Sequence, residues 1–169
     1  MKVADNNSMW APILEKALAK VKGSYAQTDG GFVVNGLRST TGVPVFTYQP
    51  GSSSYTYTNA QTYELLKAAE DSNYILGAGT AAGVNTQTND CGLPYSHAFA
   101  ILSVFKMDGT EMILMRNPWG TTSYTGPWRH DDPNWTASKA AQVPFGIDPR
   151  TSNADGIFTM PLTTFLDTS

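Results

Sequence analysis

Apolar residues at Trp10, Ile13, Leu14, Ala17, Leu18 and Val21 recur three and four apart, so they line one face of a helix running from Trp10 to Val21. Asn7 or Ser8 stands where a cap is wanted, Gly23 stops the helix, and Pro12 is tolerable because it falls in the first turn. From Gly30 to Tyr48 the pattern changes. Glycines separate Phe32-Val33-Val34 from Val43, Val45 and Phe46, which predicts a short strand, a turn and a second strand. Gln49 to Thr58 is polar. A second helix is expected over Ala60–Glu70, with Thr58 and Gln61 spaced as a capping box, and a short strand follows from Asn73 to Ala78. Gly79 to Pro94 reads as loop. His97 to Met107 and Glu111 to Asn117 both read as strands, and Asp108-Gly109 between them is a hairpin signal. The stretches 119–135 and 137–154 are loop-rich, and Ile157 to Leu166 predicts a last strand and a short helical turn. Strands outnumber helices and the hairpin makes neighbours antiparallel. The expected class is therefore α+β, a β-rich antiparallel sheet with the Trp10–Val21 helix packed on it.

Composition narrows the function classes. A length of 169 residues suits a single domain with a core of its own. Charged residues are only 15% and the net charge is −3, so no basic surface recommends a nucleic acid or a membrane as partner. No apolar run reaches membrane-spanning length, and the N-terminus lacks the pattern of a signal peptide, which together read as an intracellular chain. The single cysteine, Cys91, excludes an internal disulfide and a metal cluster built on cysteines. Sequons at Asn6 and Asn134 are no more than chance supplies.

The candidate chemistry sits at the polar ends of the apolar hairpin. An asparagine oxygen that accepts from one ring nitrogen of a histidine fixes the tautomer and aims the other nitrogen at a nucleophile. With a thiol, the pair becomes thiolate and imidazolium, able to attack an amide carbonyl. Whether His97 and Asn117 share a face depends on register. A three-residue loop, Met107-Asp108-Gly109, sets Phe99 opposite Asn117 and His97 diagonal to it. A two-residue loop puts them on opposite faces unless a bulge compensates. Gly109 permits either.

The surrounding motifs resemble the second half of the calpain protease core. Ser96-His97-Ala98-Phe99-Ala100-Ile101, Arg116-Asn117-Pro118-Trp119-Gly120 and Tyr124-Thr125-Gly126-Pro127-Trp128 are similar to that family's Gly-His-Ala-Tyr-Ser-Val, Arg-Asn-Pro-Trp-Gly and Trp-x-Gly-x-Trp, in the same order. Met9-Trp10-Ala11-Pro12-Ile13-Leu14-Glu15-Lys16-Ala17 resembles its Met-Trp-x-x-Leu-Leu-Glu-Lys-Ala helix, and Asp155-Gly156-Ile157-Phe158-Thr159-Met160 its closing Asp-Gly-x-Phe-x-Met. The likeness covers nearly the whole chain.

The resemblance implies a papain-like right-hand subdomain over 1–169, a single domain that is the His/Asn-bearing half of a cysteine endopeptidase. It implies His97 as general acid and base, Asn117 as its orienting partner, Trp119 as a shield over their bond, and Ser96 and Ala98 as substrate contacts. The family's nucleophilic cysteine belongs to a preceding subdomain that this sequence does not resemble. Cys91, followed by Gly92-Leu93-Pro94, cannot open the helix that seats such a nucleophile. The implied partners are a polypeptide substrate and a Cys-bearing subdomain, and the chain alone is expected to be inactive. The family also binds calcium here. Ser123, His130 and Ile157 replace its acidic positions, which leaves Asp155, with Asp131 and Asp132 as substitutes, for a weak site or none. The competing reading is a catalytically dead, calpain-like module kept for protein binding.

Overall fold

A computed structural model describes residues 8–151 and 155–168; the Asn6 sequon and the Asn7 cap lie outside them. The chain divides into two compact units, Met1–Thr47 and Tyr48–Ser169.

In the first unit, helix α1 spans Trp10–Lys22 and ends at Gly23, as its periodicity predicts. Its start is corrected: the residue before the first turn is Met9, whose side chain makes no capping bond. Of its apolar residues only Ala19 is buried, while Trp10, Ile13, Leu14 and Val21 are exposed. A second correction falls on the expected strand-turn-strand. Val33–Thr41 is a helix, α2, and 43–49 carries no regular structure. Val33, Val34 and Leu37 fit one helical face as well as a strand. Its threonines bond back into the helix, Thr40 Oγ1 to the Gly36 carbonyl at 2.9 Å and Thr41 Oγ1 to the Leu37 carbonyl at 2.7 Å.

The second unit is built on a four-stranded antiparallel sheet in the order β1-β2-β3-β4: Leu76–Gly79, Ala98–Met107, Thr110–Arg116 and Ile157–Pro161. Helix α3, Asn59–Asp71, opens on the capping box its sequence shows: Thr58 Oγ1 accepts from the Gln61 N–H, and Gln61 Oε1 accepts from the Thr58 N–H. Helices α4 (Ala137–Ala140, capped by Thr136) and α5 (Leu162–Thr168) are short. Among the described residues, no helix is long and apolar enough to cross a membrane.

The core lies on both faces of the sheet. Tyr63, Phe99, Ile101, Val104, Ile113, Met115, Phe158 and Met160 pack together on one face with Leu66 of α3 and Phe165 of α5. Phe105, Met107, Met112 and Leu114 pack on the other with Trp135, Val143 and Leu102. Full burial of such side chains contributes about 1.5–3 kcal/mol each. In β3 the faces alternate strictly, Met112 and Leu114 against Ile113 and Met115. In β2 they do not: odd residues Phe99 and Ile101 share a face with even Val104. One extra residue has been inserted between them.

The pairing shows where. Met107 pairs with Thr110, so the turn holds only Asp108 and Gly109, both at positive φ (48° and 83°), as a two-residue hairpin turn requires. This register runs to Ser103↔Leu114, then shifts to Ile101↔Met115 and Ala100↔Arg116, leaving Leu102 as a bulge. Of the two loops the sequence allowed, the shorter is the one that forms, and the bulge supplies the compensating residue. Extending the shifted register by one step places Phe99 opposite Asn117.

Candidate active site

His97 enters β2 through a tightly bonded corner. The Thr80 N–H donates to the His97 carbonyl at 3.0 Å, while Thr80 Oγ1 accepts from the His97 N–H at 3.0 Å and donates to the Pro94 carbonyl at 2.6 Å. Thr80 thus clamps both backbone groups of the histidine. Nothing in its local sequence marks it for this, because its partners lie 14 and 17 residues away. Ser96, where the resembled motif has glycine, sits at φ 49°. Its hydroxyl accepts from the Gly83 N–H at 3.0 Å and donates to the Gly83 carbonyl at 2.9 Å, bonds that offset the cost of a left-handed serine. Ser96 and Ala98, the expected substrate contacts, flank His97 and are both exposed, although the Ser96 hydroxyl is already committed.

Asn117 directly follows β3 and is buried, 2% exposed. Its backbone N–H donates to the Gly156 carbonyl at 2.8 Å, and its carbonyl accepts from the Gly120 N–H at 3.0 Å. Gly156 has φ 72°, and a Cβ there would lie 2.6 Å from the Asn117 carbonyl oxygen, so the Asp155-Gly156 turn needs its glycine to seat Asn117.

The two side chains meet. Nε2 of His97 lies 2.9 Å from Oδ1 of Asn117, and the same oxygen accepts from the Trp119 backbone N–H at 3.0 Å. An N–H that can only donate identifies the atom as oxygen. A carboxamide oxygen can only accept, so Nε2 carries the proton and Nδ1 is the basic nitrogen. The Trp119 indole stands with its centroid 4.1 Å from the imidazole, and Phe99 meets the imidazole edge to face at 4.9 Å. An imidazole held in this way can take a proton at Nδ1 while Asn117 keeps the ring oriented from the other side.

Cys91 shares no identified hydrogen bond with His97 or Asn117. Burial, with Asp90 and Asp167 nearby, pushes its thiol above the ordinary value, away from a thiolate. Its backbone N–H is taken by Asn89 Oδ1 at 3.0 Å and its carbonyl by the Thr125 N–H at 2.9 Å.

Of the three candidate calcium ligands, Asp131 and Asp132 have carboxylates engaged elsewhere, while Asp155 is bonded through its backbone carbonyl. Asp132 is buried, with Oδ2 accepting from the Trp128 N–H at 2.7 Å and Oδ1 from the Asn134 N–H at 2.9 Å. Burial opposes its ionisation, but these backbone donors win and hold its carboxyl below the ordinary value. Asp131 pairs with Arg129 at 2.7 Å, and the Asp155 carbonyl accepts from Arg116 Nε at 3.2 Å. Ser123 donates its hydroxyl to the Gly92 carbonyl. Among the described residues, no three His, Cys, Asp or Glu side chains are grouped to hold a metal ion.

The chain matches the family model described as calpain family cysteine protease over residues 1–168. It is 32% identical to the calpain-type cysteine protease DEK1 of Zea mays over 77% of this chain and 6% of the relative. It is 30% identical to calpain-9 of Homo sapiens over 82% of this chain and 20% of the relative, and 29% identical to calpain-5 of Caenorhabditis elegans over 95% and 29%. The chain therefore spans less than a third of the length of these relatives.

Proposed function

The chain belongs to the calpain family of cysteine proteases, and on that footing we propose that it supplies the acid–base half of a calpain-type endopeptidase that hydrolyses peptide bonds. His97 is the general acid and base and Asn117 orients it. The attacking thiol comes from a cysteine-bearing segment of the same longer protein, docked against the Nδ1 side of His97. Nδ1 takes the thiol proton, the thiolate adds to the scissile carbonyl, and the imidazolium returns the proton to the departing amine. Water, deprotonated at the same Nδ1, then releases the acyl group and regenerates the thiol. Asn117 accepts from Nε2 throughout, so the ring keeps its direction in both charge states. No step is routed through a cation.

The observation that carries this reading is the His97–Asn117 bond with Nδ1 left as the basic nitrogen. The raised pKa of the Cys91 thiol supports a nucleophile from elsewhere. By itself the chain is then inactive. The test is turnover of a peptide substrate by the full-length protein: Cys91→Ser should retain it and His97→Ala should abolish it. Loss in the serine variant, or labelling of Cys91 by an active-site-directed epoxide, would overturn the assignment.

A further inference from the structure

We propose that Glu70 is a positioning residue for His97, acting through the bulge at Leu102; the catalytic part of this inference rests on the reading of His97 just given. The two-residue Asp108-Gly109 turn, carried straight along the hairpin, would put His97 and Asn117 on opposite faces of the sheet. Only the inserted Leu102 returns them to one face. A bulge breaks the bonding ladder locally, so something must satisfy the groups it displaces.

Strand β1 ends at the same place. Its first residue, Leu76, pairs with Ile101, and beyond that, among the described residues, β2 has no neighbouring strand on this side. The Glu70 carboxylate, from the last turn of α3, fills the gap. Oε1 accepts from the Ser103 hydroxyl at 2.5 Å and Oε2 accepts from the Val104 N–H at 3.1 Å. Ser103 is almost wholly buried, so without Glu70 its hydroxyl and the Val104 N–H lose these partners. Lys67 lies 3.2 Å from Oε2 and balances the charge. One carboxylate thus takes the place of a strand edge on the two residues that follow the bulge. The apolar pattern demands an extra residue between Ile101 and Val104; Glu70 fixes the geometry it adopts and keeps it still. Five residues upstream of the bulge stands His97.

The test reads the imidazole directly. In the ¹⁵N-labelled chain, a long-range ¹H–¹⁵N correlation should show the His97 ring protonated at Nε2, with that proton protected from exchange by Asn117. Glu70→Gln keeps an oxygen for Val104 and an amide for Ser103, so the signal should survive. Glu70→Ala should speed exchange of the ring proton about tenfold, equivalent to about 1.4 kcal/mol of opening, and should weaken the cross-strand contact between Ala100 and Arg116. An unchanged ring proton and an unchanged contact in Glu70→Ala overturn the proposal. If Glu70→Ala does not fold, Ser103→Ala, which removes one of the two bonds, should speed exchange by a smaller factor, and no change there overturns it equally. The cross-strand contact reports on Glu70 whether or not His97 is a general base. Retained turnover in His97→Ala would instead sink the proposed function and leave that contact as it was.

Discussion

Asn117 and Asp132 are buried acceptors that each take a tryptophan's backbone N–H, from Trp119 at 3.0 Å and from Trp128 at 2.7 Å. They differ in what else they accept. Asp132 spends its other oxygen on the Asn134 N–H, and the Asn134 side chain adds to it, so its hydrogen-bond partners belong to its own loop. Asn117 turns the same oxygen to an imidazole twenty residues upstream. A charged acceptor saturated by local amides holds a loop in shape. A neutral acceptor with capacity left can orient an imidazole without fixing its charge.

The largest effect that would break this contrast is loss of the ring. In the full-length protease, His97→Ala should lower kcat by about 10⁴-fold or more, since nothing else described beside the site can take the thiol proton and return it to the amine. That corresponds to about 5 kcal/mol of transition-state stabilisation. A residual rate within tenfold of wild type in steady-state kinetics would remove the functional half of the comparison.

Asn117→Ala should come next. The imidazole remains but loses its direction, and misplacement of a catalytic group by about 1 Å costs about 10²-fold. The loss should appear in kcat more than in KM, because orientation matters most in the transition state. An equal rise in KM with kcat unchanged would mean that Asn117 shapes the substrate site instead.

How far this pair could be read from sequence depends on the distance over which each determinant acts. Helix α3 was legible because Thr58 and Gln61 lie one turn apart and cap locally. Strands β2 and β3 were legible from Phe99, Ile101, Val104 and Met112 to Met115. The register was not, because Gly109 admits two loops and the choice is completed by Leu102 and by Glu70, 33 residues before Ser103. The clamp by Thr80 was hidden for the same reason. In contrast, α2 is obscured locally: Val33-Val34 carries strand-like composition on a helical spacing, and over Val33–Thr41 the spacing prevails.

Asp132→Asn tests the other half. The amide keeps the shape, but its NH₂ must face one of two backbone N–H groups, so the variant should lose about 1–3 kcal/mol of stability at neutral pH by urea denaturation. The sign with pH follows from the direction of the shift. The folded-state carboxyl titrates below the ordinary value of 3.8, so its contribution is complete above that value and is lost as pH falls through the lower folded one. The gap between wild type and Asp132→Asn should therefore narrow on acidification. A gap independent of pH would mean that the charge is irrelevant to the loop.

Trp119→Ala should give the smallest effect, and the geometry explains why it falls below Asn117→Ala. The contact that fixes the Asn117 oxygen comes from the Trp119 backbone, which alanine retains. Only the indole is lost, and with it the cover 4.1 Å from the imidazole. Water then competes for the His97–Asn117 bond, whose net worth as a neutral bond is about 1 kcal/mol. Part of that bond survives hydration, so kcat should fall between about 2- and 5-fold. Trp119→Phe, which restores an aromatic cover, should recover most of it. A loss as large as that of Asn117→Ala would show that the indole, and not the backbone N–H, sets the direction of the amide.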